Sequence, residues 1–122
     1  MRQFNLALFA LLLISCGKDL PTLEGVDLDK WKQDKNGCKR ERASMQLALI
    51  AEQAKLKGLS EMDVIGMLGK PDQNELYKRN QKFYSWFLTA APGCPQMDSD
   101  KVVFIVRFNA MGYAQSTSLQ AE

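Results

Sequence analysis

Three cysteines, two aspartates sharing one loop and the absence of histidine bound the chemistry open to this 122-residue chain. Cys16 follows Leu13-Ile14-Ser15, Cys38 follows Asn36-Gly37, and Cys94 lies within Pro92-Gly93-Cys94-Pro95. Cys38 as a nucleophile lacks a histidine to activate its thiol, so a bridge to Cys94 is the favoured use of the pair. Two free thiols or a metal site are the alternative, but two thiolates alone do not close a site. Asp98 and Asp100 flank Ser99. Neighbouring carboxylates can do acid–base work or bind Ca²⁺, although such a stretch more often forms a solvated turn. There is no P-loop, no GxGxxG and no serine in a nucleophile elbow. The residue inventory points away from an enzyme, and neither a cofactor nor a metal is expected.

Ahead of Cys16, Arg2 supplies a positive end and Phe4 to Ile14 an apolar run, interrupted at Asn5. The run is 11 residues long, short of the roughly 20 that a helix needs to cross a bilayer. Positive end, apolar segment, small residue and cysteine read together as an export signal. The stretch resembles the lipobox of bacterial lipoproteins, in which the cysteine is lipidated and becomes the first residue of the mature chain. The resemblance implies lipid on Cys16, a signal peptide over residues 1–15, a lipidated tether over 16–30 and a domain over 31–122. It also implies a bacterial outer-membrane location, facing the periplasm or the cell surface. An ordinary signal peptide is the alternative, though Leu13 is large where such a cleavage site takes a small residue.

Without residues 1–15 the chain keeps 107 residues, enough for one domain and not two. Charged residues at 25% and apolar ones at 46% suit a body that folds in water. The net charge of +2, with signs interspersed, lacks the basic field that nucleic-acid binding requires. With lipid on Cys16, Cys38 and Cys94 remain as an even pair in an oxidising compartment. A bridge between them closes a loop of about 57 residues, worth near 4 kcal/mol in the chain-entropy picture.

Helical signals dominate the first half. Asp27 or Asp29 can cap a short helix carrying Leu28 and Trp31, and Asp34-Lys35-Asn36-Gly37 reads as a turn. Residues 39–57 contain neither Gly nor Pro and predict one long helix ended by Gly58. Ala43, Leu47, Ile50 and Ala54 form one stripe on it, with Met45, Leu49 and Leu56 nearly opposite. That second stripe is a candidate partner surface unless Leu20, Leu23 and Trp31 cover it. A second helix opens with Ser60 as cap, Asp63 three residues on, and Leu59 and Val64 at the staple positions; Gly69 and Pro71 end it. The basic run Lys39-Arg40-Glu41-Arg42, which begins the long helix, could meet anionic headgroups or simply form a solvated helix end.

Strands follow. Residues 76–78 and 82–89 flank a hairpin turn at Arg79-Asn80-Gln81, with Tyr84, Trp86 and Leu88 on one face and Phe83, Ser85 and Phe87 on the other. Residues 90–100 form a polar loop, Lys101 to Phe108 alternates as the clearest strand, and a last strand covers about 113–119. Two helices packed on a three- to four-stranded antiparallel meander make an α+β two-layer sandwich.

The segment Gly58-Leu59-Ser60 through Leu68-Gly69-Lys70-Pro71, followed by aromatic strands, resembles the BamE/SmpA-type small outer-membrane lipoproteins. The same αα-βββ unit also occurs in secreted inhibitors of β-lactamases. The likeness covers about residues 45–118. It implies a non-catalytic scaffold contacting other envelope proteins or lipid, with no nucleic acid and no small-molecule substrate. The cysteine pair and the long loop at 90–100 depart from the family pattern. The possible binding surface comprises Tyr77, Arg79, Phe83, Trp86 and Phe87 with the helix stripe Met45, Leu49 and Leu56; one face of the aromatic cluster must be core, the other core or interface. An alternative function is inhibition of an enzyme through a disulfide-braced loop 90–100.

Overall fold

The structure, a computed structural model, describes residues 19–121. Cys16 and the whole of the expected leader over residues 1–15 lie outside the described residues. Helix α1 (Leu28–Gln33) starts where Asp27 Oδ1 accepts the amides of Asp29 and Lys30 at 3.1 and 3.2 Å, and it buries Trp31. A 3₁₀ turn at Lys35–Gly37 follows, with Asn36 in the left-handed region. Gly37 is pressed onto the end of a strand: a Cβ there would stand 2.4 Å from the Thr89 carbonyl oxygen and 2.9 Å from that of Phe87.

The long helix expected over residues 39–57 is divided. It runs as α2 (Glu41–Ser44), α3 (Gln46–Glu52) and a 3₁₀ turn at Gln53–Leu56, tightening at Met45, whose amide bonds the Arg42 carbonyl. Its burial is also the reverse of the first stripe. Leu47 is 83% exposed and Ile50 45%, whereas Met45, Leu49 and Leu56 are buried with Leu23, Val26 and Trp31. The inward face begins at Arg42, so Arg42, Met45, Leu49 and Leu56 form the helical stripe, disguised because its first member carries a charge. Met45, Leu49 and Leu56 are therefore core and not a partner surface. Leu23 and Val26 pack there too, so the folded part begins ahead of residue 31, within the segment expected to be tether.

Helix α4 (Glu61–Leu68) keeps its sequence signals. Ser60 Oγ accepts the Asp63 amide at 3.1 Å, and Gly69, at φ 78°, returns its amide to the Ile65 carbonyl. Four strands then form an antiparallel meander in chain order: β1 (Gln73–Tyr77), β2 (Gln81–Phe87), β3 (Val102–Phe108) and β4 (Ala114–Ala121). The β1–β2 turn is Lys78–Asn80, with Arg79 and Asn80 both at φ 61°. Tyr84 opposes Val106 and Trp86 opposes Phe104, which sets one sheet face against the helices. Trp31 meets Phe104 edge-on at 6.2 Å, joining α1 to the middle of the sheet. The α+β architecture, helices on one face of an antiparallel meander, is as the pattern of elements predicts.

Candidate functional site

Alternation along the strands puts a second set of side chains on the outward sheet face. Gln73, Glu75 and Tyr77 of β1 stand beside Phe83, Ser85 and Phe87 of β2, then Val103 and Ile105 of β3 and Gln120 of β4. These residues, with Pro92 and Lys101, line a cleft of about 410 Å³. Phe87 and Val103 are covered at one end by Ala91 of the loop between β2 and β3, and Ile105 packs against them. Tyr77 is 52% exposed and meets Phe83 edge-on at 5.4 Å. The Arg107 guanidinium lies 5.9 Å above the Phe83 ring and is fixed by its hydrogen bonds to Gln81 Oε1.

The aromatic cluster expected from sequence is thus split by the sheet. Tyr77, Phe83 and Phe87 share the outward face, and Arg79 sits at the exposed hairpin tip beside them. Trp86 does not join them. It points inward and is fully buried between Tyr84 and Phe104, because its register with Phe104 belongs to the core face.

Cys38 and Cys94 are joined in a disulfide, their Cα atoms 5.3 Å apart. The loop it holds is also fixed at Asp98, whose carboxylate accepts Arg40 Nε and Nη2 at 2.8–3.1 Å and the Ala90 amide at 2.8 Å. Arg40's hydrogen bond, then the Ala90 amide, holds the Asp98 carboxyl below its usual range. Asp98 is therefore a fastening of the loop, and Arg40 is engaged by it. Arg42 is buried, whereas Lys39 and Arg40 stay exposed, so only Arg42 of the basic run at the start of the long helix turns inward.

Sequence reasoning missed the node that Arg42 builds. Its Nε donates to the Trp31 carbonyl at 2.9 Å, and its Nη1 to the Phe87 carbonyl at 3.1 Å and to Asp72 Oδ2 at 2.6 Å. Asp72 also accepts the amides of Asn36 and Phe87 at 3.0 and 2.9 Å, while buried Asp34 accepts those of Lys39 and Arg42. The guanidinium stacks 5.1 Å from the Trp31 ring. Only the helix stripe extended back to Arg42 hints at this in the sequence.

A second polar link ties α4 to the sheet. Glu61 Oε1 accepts Tyr84 Oη at 2.7 Å and Lys82 Nζ at 3.0 Å. Burial, then the hydrogen bond and charge of Glu61, pushes the Tyr84 phenol from 10.0 to about 12. Burial alone raises the Glu61 carboxyl, but Tyr84 and Lys82 outweigh it and the carboxyl ends below its ordinary value of 4.5. A raised phenol contributes stability that is complete below pH 10 and is lost as pH rises through about 12; the lowered carboxyl contributes stability above 4.5 that is lost as pH falls. In an alkaline titration followed by tyrosinate absorbance, a step near pH 12 is expected that disappears in Tyr84→Phe. Absence of that late step in the native protein would contradict the link.

No protein-family model, curated protein or solved structure matches the chain.

Proposed function

We propose that this chain is a lipid-anchored bacterial envelope protein whose α+β domain binds another envelope protein and performs no catalysis itself. The observation that carries the reading is the outward sheet face, where Phe83, Phe87, Val103 and Ile105 floor a cleft bordered by Glu75, Lys101 and Gln120. Aromatic anchors within a polar rim are what protein interfaces use. β1 is an edge strand beside this cleft, so its free main-chain groups can take a partner strand. The anchor rests on the lipobox-like Leu13-Ile14-Ser15-Cys16, and the BamE/SmpA likeness of Gly58 to Pro71 supports an envelope role. Lipid chains would keep the domain at the membrane, where recognition becomes a local event.

A second reading is favoured by one observation. The loop between β2 and β3 is held at Cys94 and at Asp98, while Met97 between them is 58% exposed. A braced loop with an exposed apolar tip suits an inhibitor entering an enzyme cleft, since little ordering remains to be done on binding. Photo-cross-linking residues placed at Phe83 or at Met97 in host cells separate the two. The first reading expects a discrete adduct with an envelope protein from position 83 and acyl labelling at Cys16. A hydrolase captured from position 97 alone, or unlabelled protein in the soluble fraction, would overturn it.

A further inference from the structure

A separate cleft of about 310 Å³ is lined by Lys32, Lys35, Arg42, Lys70, Pro71 and Asp72, and it shares no residue with the outward-face cleft. Its lysines come from three separate segments, Lys32 from the last turn of α1, Lys35 from the 3₁₀ turn and Lys70 from the link between α4 and β1, and Arg42 of α2 is the fourth cation. None of the three lysines forms an ion pair among the described residues. Counting Asp34 behind the cleft, four cationic side chains face two carboxylates. Both carboxylates are already committed, Asp34 to two backbone amides and Asp72 to two amides and Arg42.

The arrangement is built and does not arise from a local run of charge. Arg42, whose side chain is 2% exposed, is held rigidly on the cleft wall by three acceptors. The stem of Lys32 lies over Gly69, where a Cβ would come within 3.0 Å of Lys32 Cγ. Gly69 thus serves both its positive φ and the approach of Lys32. Lys32, Lys35 and Lys70 are exposed, so water and salt screen most of their repulsion, and an anion in the concavity would relieve the rest. Several ammonium groups around one fixed guanidinium match an anion with more than one charge and oxygens on several sides, which is phosphate chemistry more than carboxylate chemistry. The volume lies at the lower end for ligand sites and suits a small group.

We propose that the cleft between α1, the Lys35 turn and Lys70 binds a phosphate group, either a free phosphate or phosphomonoester or the headgroup of an anionic lipid. The test uses the full chain and compares Lys32→Gln/Lys35→Gln/Lys70→Gln with Lys30→Gln/Lys57→Gln/Lys78→Gln, which removes the same charge elsewhere. Inorganic phosphate is titrated against chloride at constant ionic strength, with binding heat and amide shifts as readouts. In parallel, sedimentation compares phosphatidylcholine vesicles with and without phosphatidic acid. Saturable phosphate binding that weakens at least about tenfold in the cleft variant alone supports a free phosphate source. A preference for phosphatidic acid vesicles, lost only in the cleft variant, supports the lipid source. No binding in either arm, or equal loss in both variants, overturns the proposal.

Discussion

Asp72→Ala is expected to destabilise the fold by about 3–5 kcal/mol, the cost of stranding a buried charge. Asp72 and Arg42 side chains are each 2% exposed, so water entering from the cleft they wall replaces the lost partner only in part. The loss is larger than one ion pair because Asp72 also satisfies the Asn36 and Phe87 amides. Removing both charges, as in Arg42→Met/Asp72→Leu, therefore does not restore stability. Two amides would still lack an acceptor, the Phe87 carbonyl would lose its Arg42 donor, and the Trp31 carbonyl would keep only the Asp34 amide. Arg42→Lys is expected to fall between, since an ammonium cannot hold all three acceptors in the geometry of a planar fork. Urea unfolding of the set, read as a shift in midpoint at constant slope, measures this. A shift equivalent to less than about 1 kcal/mol for Asp72→Ala would show that the node is not a main fastening of the fold.

Replacing Cys38 and Cys94 by alanine is expected to cost up to about 4 kcal/mol, or roughly 15–30 °C in Tm for a domain of this size. The folded state should change little. Ala91 still donates to the Asn36 carbonyl at 3.0 Å, and Arg40 with the Ala90 amide still holds Asp98. The effect is thus expected chiefly through the freedom regained by the unfolded chain. Paired thermal melts of the native and Cys38→Ala/Cys94→Ala proteins, with and without reductant, test it. Reductant should lower the native Tm towards that of the variant and leave the variant unmoved. Equal Tm values for the two oxidised proteins would contradict the expectation.

Local signals carried much of the fold. Ser60 with Leu59, Val64 and Gly69 specified α4, and strict alternation from Val102 to Phe108 specified β3, because caps and pleats act over a few residues. The cysteine pair could be deduced by counting. The division of the long helix could not, because it depends on contacts distant in sequence. Arg42 reaches Asp72 and Phe87 across 30 and 45 residues, and a charged residue does not announce itself as core. The stripe Ala43, Leu47, Ile50 and Ala54 is as regular as the buried one, so periodicity alone could not choose between them. Alternation placed Phe83 and Phe87 together opposite Trp86, but pairing with β3 and the cover from Ala91 decided which face was core. The phosphate cleft was hidden for the same reason, since Lys32, Lys35 and Lys70 meet only in three dimensions.

The keyhole at Gly37 bears on how such a protein can change over evolutionary time. Its contact with the Thr89 and Phe87 carbonyls, like the Arg42 node, fastens the helical layer to the end of β2, and the disulfide fastens it to the loop that follows. Few of those fastenings draw on the exposed half of the opposite sheet surface, where Tyr77 and Phe83 stand. Mutational drift there can alter what the surface complements while heritable foldability stays intact. The architecture thereby separates the residues that keep the protein folded from those free to diversify.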